Sequence, residues 1–344
     1  MSRFSSLAFS YPWNRCINSL WVAGLSAASV LALSGCAAVQ VKLGMKVYLA
    51  KTPIASIEVT QPKGPGIGPG QNSPLMVEVT QPDGKILQTE GAGKGKVMWQ
   101  DLVVTPTVVT VNKKGVLTLP KDPRKSQGQL PHVTITVPSH QNLRAELDIP
   151  LRYDYSFVSN FSGSSGSSGM NGTDGSSGTS GSSGSMDPNN PSAGGNGTNG
   201  GDGSNGQDGG SGGDAPPVQV QVTLMPGSHP LLQASVLAAG HKRLYLVDPQ
   251  GGSLTVKADG GSGGSGGKGG RGGQGGSGGM GSPNGNSGSN GSDGRSGSDG
   301  PAGRGGLITV TYDPQVKSYL AAIHLSSQNA PKPVIQEAPV APLW

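Results

Sequence analysis

The chain opens on a short apolar block. Residues 1–35 contain two arginines, no acidic residue, and an apolar stretch from Leu20 to Leu33 that only small residues interrupt. A positively charged start followed by such a stretch is typical of a secretory signal, which is removed from the mature protein. A single membrane span is the alternative, but a span needs about 18 apolar residues or more, and Asn18 and Ser19 keep this stretch shorter.

Alternating apolar and polar positions then predict β-strands over residues 39–158. The β-branched segments that carry this pattern are residues 57–60, 76–80, 108–111 and 132–137. Gly- and Pro-rich turns separate these segments, as expected of short consecutive strands. The series favours a β-sandwich or a small barrel.

A short repeat lies within this region. Residues 58–64 and 78–84 share the pattern Glu-Val-Thr-Gln-Pro-x-Gly. The repeat predicts two similar units of strand and turn. It also raises the hypothesis of an active site built on Glu58 and Glu78, but their apolar neighbours place both side chains on the solvent-facing side of a strand.

Glycine occupies every third position in four long runs, which we number in chain order. They are run 1 (163–184), run 2 (194–212), run 3 (261–279) and run 4 (285–306). The spacing between runs 3 and 4 fails only at Ser282, where residues 280–284 predict a turn. Because the runs contain eight, seven, seven and eight glycine triplets, their near-equal lengths favour antiparallel pairing.

A strict three-residue period matches a left-handed helix with three residues per turn and a rise of about 3.1 Å, on which one face carries only glycine. Such helices can approach closely and exchange backbone hydrogen bonds, as in polyglycine II. Run 3 carries a second column of glycines beside the first, from Gly260 to Gly278. We therefore expect run 3 at the centre of a four-run bundle formed by two long hairpins.

The triplet period resembles that of springtail antifreeze proteins and of the tip domains of certain phage tail adhesins. The resemblance covers about 90 residues and implies no ligand. Other interpretations are a disordered Gly/Ser linker, a collagen-like trimer, which needs more proline, and calcium-binding β-roll repeats, which need regular apolar positions. Ice binding leads one to expect an exposed column of Thr or Ala, and none is seen.

Strand-like segments flank every run. Residues 152–157 precede run 1, 218–224 follow run 2, 254–257 precede run 3 and 308–312 follow run 4. Each glycine-rich hairpin is therefore expected to extend a β-hairpin whose strand pairing sets the register. Asp313-Pro314 predicts a short helix up to Ala322, and the tail from 329 onward, with four prolines, is expected to be extended.

These patterns divide the chain into seven segments. They are a signal (1–35), an N-terminal β-domain (36–160), a first hairpin (161–214), a β-region (215–259), a second hairpin (260–306), a strand with a short helix (307–328) and a Pro-rich tail (329–344).

Leu33-Ser34-Gly35-Cys36 resembles the lipobox of bacterial lipoproteins. The resemblance implies that Cys36 carries lipid and becomes the new N-terminus. The residue after it is Ala37, and an Asp there would favour inner-membrane retention, so the resemblance implies the outer membrane of a Gram-negative cell. An ordinary signal peptide with an incidental cysteine is the alternative.

Amino-acid composition excludes several classes of fold, active site and partner. The 60 glycines and 4% aromatic residues exclude one uniform globular domain. The other cysteine, Cys16, lies in the signal, so thiol catalysis, cysteine-bound metals and disulfides are excluded from the mature chain. Removal of the signal, with Arg3 and Arg15, lowers the net charge from +5 to +3, and this weak excess without a basic run argues against nucleic acid as a partner.

Two segments of the glycine-rich region match common catalytic or phosphate-binding motifs only in part. Residues 260–264 match a nucleophile-elbow string but lack its strand-turn-helix setting. Lys268 follows Gly267, yet Gly269 stands where a phosphate loop needs Ser or Thr. The five histidines are scattered, and Trp99 is expected in a core rather than on a carbohydrate platform.

No catalytic residue, cofactor or metal site is predicted. We expect a lipid-anchored, non-enzymatic envelope protein with a structural, adhesive or display role, whose partners are the membrane and an envelope or extracellular glycan or protein. The alternatives are a polysaccharide- or peptidoglycan-acting enzyme or binding module in the β-regions, and an ice-binding protein.

Overall fold

The computed structural model describes residues 37–227 and 229–344. The predicted signal and Cys36 lie outside the described residues. The described chain is mainly β, with a short helix α1 (Ala37–Lys42) before the first strand. Within it, no helix is long and apolar enough to cross a bilayer.

The first β-unit consists of three small sheets. Its strands are β1 (Ser56–Thr60), β2 (Asn72–Pro74), β3 (Met76–Thr80), β4 (Ile86–Gln88), β5 (Val103–Thr107), β6 (Thr110–Val111), β7 (Val116–Thr118), β8 (His132–Val137) and β9 (His140–Asp148). The sheet orders are β1-β3-β4, β2-β7-β6 and β5-β8-β9. Short 3-10 helices lie at Leu49–Lys51, Gly91–Gly93, Trp99–Asp101 and Pro123–Lys125. One core joins all three sheets through alternating inward side chains such as Val77, Leu117 and Ile135.

The strand predicted over 108–111 is wrong in part. Val108 has φ = 65°, and the Val109 N–H donates to the Thr107 carbonyl at 2.7 Å. The chain therefore turns sharply between β5 and β6. A β-branched residue rarely adopts this φ, so composition alone indicates a continuous strand here.

The second β-unit consists of two sheets. Its strands are β10 (Ser156–Asn160), β11 (Val218–Met225), β12 (Leu231–Ala238), β13 (His241–Val247), β14 (Ser253–Lys257), β15 (Ile308–Tyr312), β16 (Ile323–Ser326) and β17 (Val334–Glu337). The sheet orders are β10-β14-β16 and β13-β12-β11-β15-β17. Buried side chains from both sheets share a second core, which the 3-10 helix Pro314–Ala322 joins through Val316. The Asp313 carboxylate accepts from the Gln315 N–H at the start of that helix, as Asp313-Pro314 predicts.

Strand pairing at the base of the glycine runs differs from the expected β-hairpins. The strand before run 1, β10, pairs with β14, the strand before run 3, and the two are parallel. The strand after run 2, β11, pairs in parallel with β15, the strand after run 4. These pairs therefore connect the two hairpins to each other. The strands that lead into runs 1 and 3 lie in one sheet, and the strands that follow runs 2 and 4 lie in the other.

Side chains become smaller as the strands leave the second core. On β14 and just beyond it the inward residues are Leu254, Val256 and Ala258, each 0% exposed, and the next buried position is Gly261. Side chains normally keep packed sheets about 10 Å apart. Their steady reduction to glycine lets the backbones converge until they contact directly.

The C-terminal tail docks along the second unit and reaches the first. β17 pairs in parallel with β15, and the Leu343 N–H donates to the Gln233 side chain at 3.0 Å. The Trp344 indole donates to Gln127 of the first unit at 2.5 Å. The expected extended conformation is thus partly that of a strand.

Ser159→Ala should raise the stability of the second unit. The Ser159 hydroxyl is fully buried and has no hydrogen-bond partner among the described residues. Removing an unsatisfied buried hydroxyl should add about 1 kcal/mol to the free energy of unfolding, measured by urea denaturation. Ser253→Ala is the control, since the Ser253 hydroxyl donates to Ser156; an equal gain there would contradict the explanation.

Candidate functional site: the hydrogen-bonded glycine runs

Backbone hydrogen bonds repeat at every third residue between the four runs. Run 1 donates to run 3 and run 2 donates to run 4, in parallel, with N···O distances of 2.6–2.9 Å. Antiparallel bonds of 2.7–3.0 Å join run 2 to run 1, run 3 to run 2, and run 4 to run 3. Run 3 therefore contacts all three other runs, as its doubled glycine column predicts. Run 2 does so as well, which its sequence did not indicate.

Glycine is required in these columns because of space. A Cβ built on Gly270 would meet the Thr173 carbonyl oxygen, and one on Gly269 would meet the Gly294 carbonyl oxygen, both far inside 3.0 Å. These two glycines represent the two columns of run 3. None of the glycines in the four runs has φ in the left-handed region, so conformational freedom does not explain them.

In runs 1 and 2, Asn and Asp residues that stand just before a glycine clamp the neighbouring parallel run, because each accepts a backbone N–H of that run. The Asn205 Oδ1 atom accepts the Arg295 N–H at 2.8 Å, and the Gly206 N–H donates to the Arg295 carbonyl at 2.9 Å. One dipeptide thus satisfies both backbone groups of one residue on the neighbouring run. The carboxyl or amide groups that act in the same way belong to Asn171, Asp174, Asn196, Asn199, Asp202 and Asp208, and to Asp214, which stands before Ala215.

Between runs 2 and 4, this clamp is absent at Pro301. The position opposite it on run 2, by the 90-residue offset of the other clamps, is Ser211. Proline has no N–H to donate, so no side-chain acceptor is needed there. The Gly212 N–H still donates to the Pro301 carbonyl at 2.9 Å.

The β-sheets fix the register of the runs. Ser156 pairs with Ser253 across β10 and β14, 97 residues apart, and the same 97 residues separate the hydrogen-bonded hydroxyls of Ser165 and Ser262. β11 and β15 are offset by 90 residues, as are the clamps between runs 2 and 4. The strand register therefore continues unchanged into the glycine runs.

Asp259 joins the sheet to run 3. Its carboxylate accepts from the Ser326 hydroxyl and from the Gln328 N–H, both at 2.8 Å. Burial acts to raise the pKa of Asp259, but these hydrogen bonds and the nearby Lys257 charge outweigh it, so the pKa is lowered. The residue stays ionised and holds β16 against the base of the run.

The outward positions of the runs form a polar surface. Run 3 presents Lys268 and Arg271, and run 4 presents Arg295 and Arg304, all exposed. Most other outward positions are Ser, Asn, Asp or Thr. Met170 and Met280 are the large apolar exceptions, 70% and 67% exposed.

Glu58, Glu78 and Trp99, which the sequence singled out, lie in the first β-unit, apart from this surface. Glu58 stands directly opposite Glu78 in β1 and β3, and Gln88 donates to the Glu78 carboxylate at 2.7 Å. Trp99 is buried in the first core, as predicted, and its indole donates to the Glu90 carbonyl at 3.2 Å. Residues 260–264 lie in run 3, where the Ser262 hydroxyl contacts Ser165.

Among the described residues, no three His, Cys, Asp or Glu side chains are grouped so as to hold a metal ion. Comparison with protein-family models finds no matching family, and comparison with curated proteins finds no relative.

Neighbouring glycines of run 2 should respond differently to substitution. A Cβ on Gly200 would meet the Gly273 carbonyl oxygen, whereas the nearest atom to a Cβ on Gly201 is the flexible Ser176 hydroxyl at 3.0 Å. We expect Gly200→Ala to lower the free energy of unfolding by about 1–3 kcal/mol. Gly201→Ser should change it by no more than about 0.5 kcal/mol, because Thr198 and Ser204 fill the same column. Thermal unfolding measures both, and equal losses would contradict the steric argument.

Proposed function

We propose that this chain is a lipid-anchored, non-catalytic protein of the cell envelope, whose four runs form a polyglycine-II bundle that displays an extended polar surface. The observation that carries the proposal is the three-residue ladder of hydrogen bonds, which leaves all long side chains of the runs on the outside. A bundle of this kind is a spacer and a contact surface. The lipobox at Cys36 supplies the membrane attachment, at the outer membrane.

The dimensions suit display at a distance from the membrane. At about 3.1 Å per residue, 22-residue runs extend roughly 65–70 Å. The two hairpin tips, near Met186 and Met280, lie at the end opposite the strands that anchor the runs. Outward Ser, Asn, Asp, Lys and Arg side chains offer hydrogen bonds and charges of both signs to an envelope or extracellular glycan or protein.

An ordered polyglycine-II bundle should protect its asparagines from deamidation. All six Asn-Gly dipeptides of the chain, at Asn171, Asn196, Asn199, Asn205, Asn284 and Asn290, lie in the glycine-rich region. Deamidation requires the glycine nitrogen to attack the Asn Cγ atom with loss of ammonia, and in every pair that nitrogen donates a hydrogen bond to another residue. We expect mass spectrometry to find each site much slower in the native protein than in urea. Equal rates in both conditions would favour a disordered linker.

Shortening the bundle should separate display from attachment. Since β11 to β14 lie between the hairpins, three triplets must be removed from each run at one level: residues 176–184, 193–201, 271–279 and 285–293. This variant should stay with the membrane and lose adhesion of intact cells, whereas Cys36→Ala should release the protein from the membrane. Protease added to intact cells should cut the wild-type protein. Cleavage only after lysis, or unchanged adhesion, would contradict display.

A further inference from the structure

A basic cleft lies between the two β-units, away from the glycine runs. Its volume is about 690 Å³, within the usual range of small-molecule sites. The first unit contributes residues 69–71 and the segment just before and within Pro123–Lys125. The second unit contributes β10 and β13, which are the edge strands of its two sheets.

Four cations line this cleft: Lys121, Arg124, Lys242 and Arg243. The only carboxylate in the lining, Asp122, pairs with Arg124 at 2.6 Å, and this hydrogen-bonded guanidinium lowers the pKa of Asp122. Within the described part of the chain, Lys121 and Lys242 make no ion pair and no side-chain hydrogen bond. The cleft therefore keeps an excess of positive charge that the protein itself does not neutralise.

Apolar side chains stand beside these cations. Val158 is 55% exposed on β10, and Tyr245 of β13 packs against Phe157 with ring centroids 6.0 Å apart. Both side chains line the cleft and offer apolar contact beside its cations. Aromatic and apolar faces next to fixed polar groups are typical of sites that bind cyclic ligands.

The edges of β10 and β13 are already bridged. Arg243 donates to the Asn160 carbonyl at 3.3 Å and stacks on Phe161 at 4.3 Å. An acidic peptide that binds by adding a strand needs a free backbone edge, and the side-chain bridge obstructs that mode. Recognition through the cationic side chains fits a ring-shaped anion better.

We propose that this cleft binds an acidic saccharide, with its carboxylate or phosphate groups on Lys121, Arg124, Lys242 and Arg243 and one sugar face on Val158 and Tyr245. The site goes beyond the display function and does not depend on the glycine runs or on lipidation.

Titration calorimetry of the full mature chain with an oligogalacturonate tests the proposal. We expect saturable binding with one ligand per chain, and little binding of the same oligosaccharide after methyl esterification, which removes its charge. Lys121→Glu combined with Lys242→Glu should weaken binding at least about tenfold. Lys63→Glu combined with Lys332→Glu is the matched control, because both lysines are exposed and lie outside the cleft.

Several results would overturn the proposal. They are absence of binding, equal binding of the methyl ester, and equal weakening in the control pair, which would indicate only general charge attraction. Inorganic phosphate that binds as tightly would indicate a simple anion site, and polyglutamate that binds as tightly would indicate an acidic peptide. All four lysines are exposed, so the variants keep the fold, which circular dichroism checks.

Discussion

Hydrogen bonds between glycine backbones are the interaction on which the long region of this protein depends. In an ordinary domain apolar side chains fill the interior, but here the interior of the runs is backbone alone. Each buried N–H still needs a partner, and the close approach of the runs supplies it. The arrangement tolerates no Cβ at the glycine columns, and it gains little from hydrophobic burial.

Runs with such a short repeat need a structure outside themselves to fix their alignment. Every triplet resembles the next, so slippage by one triplet would preserve most of the glycine contacts. The two parallel strand pairs remove that freedom, because β10 with β14 and β11 with β15 bury unique side chains in a conventional core. The second β-unit thus determines which glycine meets which.

Local sequence patterns predicted the bounds of several strands, but they did not predict which distant strands pair. The strands at 76–80, 132–137 and 308–312 have the bounds that their alternation indicates. The predicted strand partners of β10 and β11 were wrong. A glycine run that returns on itself suggests a β-hairpin at its base, whereas the observed partner strands lie 97 and 90 residues away in the sequence. For the clamping Asn and Asp residues, the sequence pattern indicated a polar surface and no specific hydrogen bonds. Their position directly before glycine is a readable signal, because from there the side chain accepts an N–H of the neighbouring parallel run.

The glycine columns require glycine at every third residue, so each run has a fixed phase. Adding or losing one residue in run 3 would rotate everything beyond it by a third of a turn and push a side chain against the neighbouring carbonyls. Adding or losing a whole triplet keeps the phase. We therefore expect natural length variants of such runs to differ by multiples of three residues, with matching changes in the runs that pair.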